Sequence, residues 1–406
     1  MRSAIIVAPF LAPTTLRFVR AAAALADARV GLITQEPQTR IPGDLRRSLA
    51  ACRQVEDALE VPHLIQAIQA IGEEIGPPER LFGVLEQLQE PLAEVRQQLG
   101  IPGLSVEASH NYRDKALMKE VFRKNGVPCA AASLVTTVEQ AVQEAEIIGY
   151  PLVVKPPSGA GAKSTFRVDN VRELREGLVE VRPSKAQPLL LEEFVVGREH
   201  SFDAVCIGDR PVWHSLTHYT PGPLEVLENP WIQWTVLLPR EVDHPRYDDV
   251  RKVGADAIRA LGMHTGLYHM EWFRRPDGSL AVSEIAARPP GAQFTTLISY
   301  AHDMDFYEAW ARLMIFDRFD PPQRAYAAGI VFLRGQGRGR VRAIRGLEEA
   351  QRELGSLVVE VELPQQGQLP ASSYEGEGFV VLRHPRTEVV QEALARLVRS
   401  VRVELG

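Results

Sequence analysis

The stretch Ser283-Glu284-Ile285-Ala286-Ala287-Arg288-Pro289-Pro290-Gly291 limits the possible folds most strongly. It sets an acid and an arginine four residues apart where a strand-like run breaks into Pro-Pro-Gly. Upstream, His269-Met270-Glu271-Trp272-Phe273 sets a second acid on another strand-like run. The segment between them contains Asp277-Gly278, a hairpin turn signal. Two carboxylates on paired strands with an arginine beside them suit a magnesium–nucleotide site. A hard divalent cation takes oxygen ligands, and a guanidinium grips phosphate with a planar fork. A surface hairpin with ordinary charges has the same local pattern, so the rest of the chain must decide.

At 406 residues the chain is too long for one small core and is expected to hold two or three domains. The 46 basic and 52 acidic side chains leave a net charge of −6, with no basic excess pointing to nucleic acid. Cys52, Cys129 and Cys206 lie far apart, with neither metal-type spacing nor the even count of a disulfide framework. A reducing, cytoplasmic setting is the matching expectation. The apolar run 4–11 is short and is followed at once by Arg17 and Arg20, so it reads as a buried strand and not a signal peptide. No apolar run approaches the roughly 18–20 residues needed to span a bilayer, so no membrane partner is expected.

Residues 1–108 read as a small α/β domain, with strands at 4–8 and 29–34. Between them a helix at 16–26 is capped by Thr14 or Thr15, and helical periodicity dominates 45–99. No Gly-x-Gly-x-x-Gly follows the first strand, which argues against a dinucleotide site there. Asp114 suits the N-cap of the next helix, which ends at Asn125-Gly126. Lys115 in its first turn opposes the helix dipole, a hint that it serves something other than the helix. After a helix at Val138–Ile148, an apolar strand at 152–154 delivers Lys155 to the loop Ser158-Gly159-Ala160-Gly161-Ala162-Lys163-Ser164-Thr165. That loop fails the Walker A pattern, because Pro157 stands at the first glycine position and Ala162 precedes Lys163. A strand, a glycine loop and a second strand at 165–168 make a lid whose backbone N–H groups can cover phosphates. A helix at Val171–Val181 precedes the buried run Leu189-Leu190-Leu191-Glu192-Glu193-Phe194-Val195. The strand at 201–207 follows Glu199.

Residues 211–240 mix Trp213, Tyr219, Trp231 and Trp234 with five prolines, and read as a long loop with its own aromatic packing. Beyond Gly291, helices are expected at 305–315 and 387–401. Short strands are expected at Ala327–Leu333, 340–344, 357–361 and 379–382, and 321–406 reads as a smaller α+β domain.

The order Lys115, Lys155, glycine lid, Leu191-Glu192-Glu193-Phe194-Val195, Glu199, Glu271, Glu284, Arg288 is far more specific than any one piece. It resembles the ATP-grasp superfamily over roughly residues 1–320. His269-x-Glu271 followed by Glu284-x-x-x-Arg288-Pro-Pro-Gly looks most like the carboxylate–amine ligases that join amino acids. The resemblance implies an α/β and α+β multidomain chain with the ATP-grasp fold. Residues 1–108 would be a Rossmann-like domain preceding the ATP-grasp unit, which would be 109–320 with its lid at about 126–195. Residues 321–406 would be the C-terminal α+β domain. It implies that Lys115 and Lys155 hold the ATP phosphates under a lid that includes Ser158, Gly159, Gly161, Lys163 and Ser164. Glu192, Glu193, Phe194 and Val195 would form the adenine hinge, and Glu199 would take the ribose. Glu271 and Glu284 would hold magnesium (or manganese), and Arg288 would steady an acyl phosphate. His218, Tyr219, Trp231, His269 and Gly291 are candidate substrate contacts.

One position departs from the family pattern. Ala286 stands where such families place an asparagine as a further metal ligand. The implied activity is ADP-forming amide or peptide synthesis from ATP, a small carboxylate and an amine, with a homodimer as candidate assembly. A bicarbonate-activating, biotin-carboxylase-like enzyme and a nucleotide-binding module with little turnover are the alternatives.

Overall fold

Residues Ala4 to Ala8 are fully buried because the first strand is covered on both faces. The structure is a computed structural model that describes residues 1–159, 165–371 and 373–406. In it, β1 (Arg2–Val7), β2 (Ala28–Thr34), β3 (Ala51–Gln54) and β4 (Arg80–Gly83) form a parallel sheet in the order β3-β2-β1-β4. Ala4 and Ile6 join one core cluster, whereas Ile5 and Val7 join another with Leu64, Ile68 and Ile71. The two four-residue strands β3 and β4 lie inside the span expected to be helical, where they are too short to show a period of their own. The first helix runs Pro13–Ala23 and is not capped by Thr14 or Thr15. Its N-cap is Ala12, and Pro13 opens the first turn, where a missing N–H loses nothing.

Trp310 ties this unit to the rest. It is buried between Phe18 (4.9 Å between ring centroids) and Phe82 (5.4 Å). Trp310→Ala is expected to lower unfolding stability by about 3–5 kcal/mol, read from the urea midpoint. A loss under about 1 kcal/mol would show that Trp310 does not join the two parts.

A second, antiparallel sheet contains β5 (Ala132–Val135), β6 (Leu152–Lys155), β7 (Phe166–Val168) and β8 (Leu189–Glu193) in the order β5-β8-β6-β7. The helices Val138–Ile148 and Val171–Val181 bury Ala141, Ala145, Leu174 and Leu178 against Leu152, Val154 and Leu191.

The large sheet is built from β9 (Arg198–Ile207), β10 (Arg210–Thr220), β11 (Trp234–Leu238), β12 (Gly266–Arg274), β13 (Leu280–Ala286) and β14 (Ala327–Leu333). After β15 (Gly335–Gln336) and β16 (Val341–Arg345) come β17 (Val358–Glu362), β18 (Gly378–His384) and β19 (Arg402–Leu405). The sheet order is β13-β12-β9-β10-β11-β14-β18-β17, so strands from both sides of residue 320 lie in one sheet. β15, β16 and β19 make a separate small sheet.

Residues 211–240 are not a long loop. They contain most of β10, the short helix Pro223–Glu228 and β11, and the prolines fall at ends and turns. The period-2 alternation that prolines obscured is real: Tyr219, Trp234 and Val236 face one core, while Leu237 faces another.

Candidate active site

The hairpin β12–β13 forms as the sequence predicts, and its register decides which side chains meet. Glu271 is the direct partner of Glu284, and His269 is the partner of Ala286. On the other side of β12, Ser201 pairs with Glu271 and Asp203 with His269. Directly paired residues share a sheet face, so the two acids and His269 point the same way. They line a cavity of about 1920 Å³ that also receives Lys115, Lys155 and Arg288.

The lysines already partner the acids. Asp114 caps the helix Lys115–Lys124, accepting from the N–H groups of Ala116 and Leu117. This fixes Lys115 at the helix start, from which Nζ reaches Glu284 Oε2 (2.9 Å) and donates to the Gly159 carbonyl (2.8 Å). Its unfavourable helix position is thus offset by a site contact. Burial opposes charge on Glu284, but Lys115 and Lys155 outweigh it and hold the carboxyl down to about 2. Glu199 goes the other way: burial, then Glu271 and Glu284, push its carboxyl well above the usual range. Part of that rise is repulsion from Glu271 and Glu284, and a divalent cation held by these two acids would relieve it. Two carboxylates suffice for magnesium, which keeps several waters. Among the described residues, no group of three or more His, Cys, Asp or Glu side chains could hold a metal. Ala286 lines the cavity beside the acids and offers no side-chain oxygen.

His269 donates from Nδ1 to the buried Asp203 (2.7 Å). Burial disfavours its charge, but Asp203 prevails and raises it to about 9. Arg288 donates from Nε (3.2 Å) and Nη2 (2.9 Å) to Glu86, whose other oxygen accepts from Arg113 (2.6 Å).

At the expected hinge, the Glu192 side chain is buried between Lys119 and Lys155. Glu193 accepts from Nη1 and Nη2 of Arg275, Phe194 lies under Arg167, and Val195 is buried. Ser158 and Gly159 line the cavity. Gly161, Lys163 and Ser164 lie outside the described residues. The turn after β10 closes on Glu199: a Cβ on Gly222 would sit 3.0 Å from its Oε2. Tyr219, His269 and Gly291 line the cavity. Trp231 is more than half exposed and, among the described residues, stands outside the cavity lining.

His218 lines the cavity but is engaged in a chain of its own. Its Nδ1 meets His200 Nδ1 (2.8 Å) and its Nε2 meets the Tyr247 hydroxyl (3.0 Å). Burial and His218 push His200 down to about 3. An unfolded chain with an ordinary histidine near 6.5 binds a proton that folded His200 refuses. Stability is therefore lost as pH falls below about 6.5, by about 1.4 kcal/mol per pH unit for this group. His200→Gln is expected to flatten the fall of the urea midpoint between pH 6.5 and 4.5. An unchanged slope would contradict a histidine held neutral.

Sequence reasoning missed Glu86, Arg113, Lys119, Phe294 and Tyr374. Tyr374 and Phe294 complete an aromatic wall, with Trp234 at 4.9 Å from Tyr374 and Tyr219 at 5.9 Å from Phe294 between ring centroids.

Residues 120–302 match the family model described as ATP-grasp domain. The chain is 23% identical over 248 residues to the L-arginine-specific L-amino acid ligase of Bacillus subtilis. That match covers 60% of this chain and 59% of that protein, so it spans under two thirds of the relative's length. The fold is similar to that of an L-amino acid ligase from Bacillus licheniformis, with TM-score 0.78, 20% identity and coverage of 100% and 99% of the two chains. It is also similar to N5-carboxyaminoimidazole ribonucleotide synthetase from Thermotoga maritima, with TM-score 0.72, 18% identity and full coverage of both chains. The chain therefore contains an ATP-grasp domain, on residues 120–302, and has the ATP-grasp fold.

Proposed function

We propose that this protein is an ATP-dependent carboxylate–amine ligase that forms an amide through an acyl phosphate and releases ADP and phosphate. The observation that carries this reading is the meeting of Glu271 and Glu284 with Lys115, Lys155 and Arg288 in one cavity. A carboxylate is a poor acyl donor because oxide is a poor leaving group. Its oxygen attacks the γ-phosphorus of ATP, ADP leaves, and the acid becomes an acyl phosphate. The amine then attacks the acyl carbon, phosphate departs and the amine loses a proton.

Lys115 and Lys155 bind phosphate oxygens, and the loop around Ser158 and Gly159 excludes water from a hydrolysable intermediate. Magnesium, or manganese in its place, would be held by Glu271 and Glu284 and would supply charge neutralisation on the phosphoryl group. Glu192–Val195 present the hinge to adenine, and Glu199 takes the ribose. Arg288 holds the tetrahedral oxyanion and the departing phosphate. His269, fixed by Asp203, orients the acid.

The relative from Bacillus subtilis is an L-amino acid ligase by name, which supports amino acids as substrates. The aromatic wall of Tyr219, Trp234, Phe294 and Tyr374 suits a substrate side chain better than bicarbonate. Residues 321–406 complete the ligase by supplying Tyr374. Among the described residues no helix is long and apolar enough to cross a membrane.

The test is ADP release against a panel of carboxylic acids and amines, with mass spectrometry of the product. ADP formation that needs both an acid and an amine, with an amide as product, is the expected result. Bicarbonate-stimulated release with no amine would favour a carboxylase. Tight ATP binding with no ADP from any pair would favour a non-catalytic module, the reading that Ala286 motivates.

A further inference from the structure

We propose that the seam between the N-terminal sheet and the later part of the chain holds a small monovalent anion, of halide size, on the guanidinium of Arg96. Arg96 lies on the helix Gln89–Leu99 and is buried. Its Nη1 donates to the Leu81 carbonyl (3.1 Å) and its Nη2 to the Leu104 carbonyl (3.1 Å). These neutral acceptors leave the charge standing. Among the described residues no carboxylate pairs with Arg96, and its Nε is buried with no hydrogen-bond partner. Burial alone acts on its ionisation and pushes it down to about 10, so it stays charged near neutral pH. A buried arginine without an acid is rare, because an uncompensated charge out of water is costly.

Arg96 lines a cavity of about 60 Å³, separate from the large one. Arg80, Arg288 and Asp317 line it too, but their charges are spoken for. Arg80 donates to Asp317 (2.5 Å) and Arg288 to Glu86 (2.9 Å). The charge left over is that of Arg96. Gly103 lets the chain close over this side chain: a Cβ there would lie 2.4 Å from Arg96 Cδ and 2.5 Å from Nε. The space is that of a few water molecules, which suits a halide and excludes a nucleotide or an amino acid. Water could accept from Nε but would leave the charge uncancelled, whereas a halide does both. β4 contributes Leu81 to the lining and the later chain contributes Trp310, so the anion would sit where the two parts meet.

The experiment is thermal unfolding of the full chain as chloride replaces gluconate at constant ionic strength, for wild type and Arg96→Met. Gluconate is too bulky for the cavity. An anion bound only by the folded chain raises the unfolding temperature by mass action. Wild type is expected to gain about 2–4 °C between zero and about 100 mM chloride, along a saturating curve. Arg96→Met removes the charge and its donors and is expected to show no chloride dependence. A flat wild-type curve, the result for a cavity that holds water alone, would overturn the proposal. So would an equal rise in the variant, which would place the anion elsewhere. If Arg96→Met does not fold, bromide-soaked crystals of the wild type decide. Anomalous density beside Arg96 Nε is the expected result, and a cavity without it would overturn the proposal.

Discussion

Arg288→Ala is expected to leave ATP affinity close to wild type while lowering amide formation by roughly 10²–10³-fold in kcat. The expectation follows from where the guanidinium stands. Its Nε and Nη2 are anchored on Glu86, from the loop after β4, and Nη1 donates to the Pro289 carbonyl (2.9 Å). Glu86 is itself steadied by Arg113. The group is thus held in the lining of the cavity that also receives the two lysines proposed to meet the phosphates. A donor fixed before reaction needs no reorganisation when charge develops on the acyl oxygen. Its removal therefore falls on the chemical step and not on nucleotide binding. Steady-state kinetics beside ATP titration checks this. Wild-type turnover in the variant would show that Arg288 does not touch the reacting atoms.

Glu284→Gln is expected to lower kcat/KM for ATP by about 10²–10³-fold and to raise the magnesium concentration needed for half-maximal rate. The substitution keeps the shape and removes the charge. In the proposed metal site it leaves Glu271 without its paired carboxylate, and Ala286 offers no side-chain oxygen in its place. It also deprives Lys115 of the acid that meets it at 2.9 Å. Rate against magnesium concentration, for wild type and variant at saturating ATP, is the measurement. An unchanged magnesium dependence would remove Glu284 from the metal site.

How much of this was legible in the sequence differs from element to element. The β12–β13 hairpin was readable because Asp277-Gly278 marks its turn and strands alternate with a period of two. The meeting of Glu271 with Glu284 was not legible, because it depends on a bulge: Trp272 pairs with Val282 but Glu271 with Glu284, one residue off the register that the turn sets. The site contact of Lys115 was foreshadowed by its clash with the helix dipole. Lys119 had a weaker signal: it lies four residues after Lys115, on the same helix face, where a solvated lysine would look identical. Only burial distinguishes them. Glu86 was not legible, because its partner Arg288 is 202 residues away and no local pattern connects them. β10 and β11 were hidden by prolines at their ends, which read as loop chemistry. Tyr374 reaches the wall from beyond β17, a long-range placement that no spacing along the chain encodes.

The central claim is that the substrate carboxylate is activated as an acyl phosphate. It is tested most directly by running the reaction with a carboxylic acid labelled with ¹⁸O at both carboxyl oxygens and analysing the inorganic phosphate by mass spectrometry. An acyl phosphate transfers one carboxyl oxygen to the departing phosphate, so one labelled oxygen should appear in phosphate for each amide formed, with ADP as the nucleotide product. Unlabelled phosphate, or AMP with pyrophosphate as products, would contradict it.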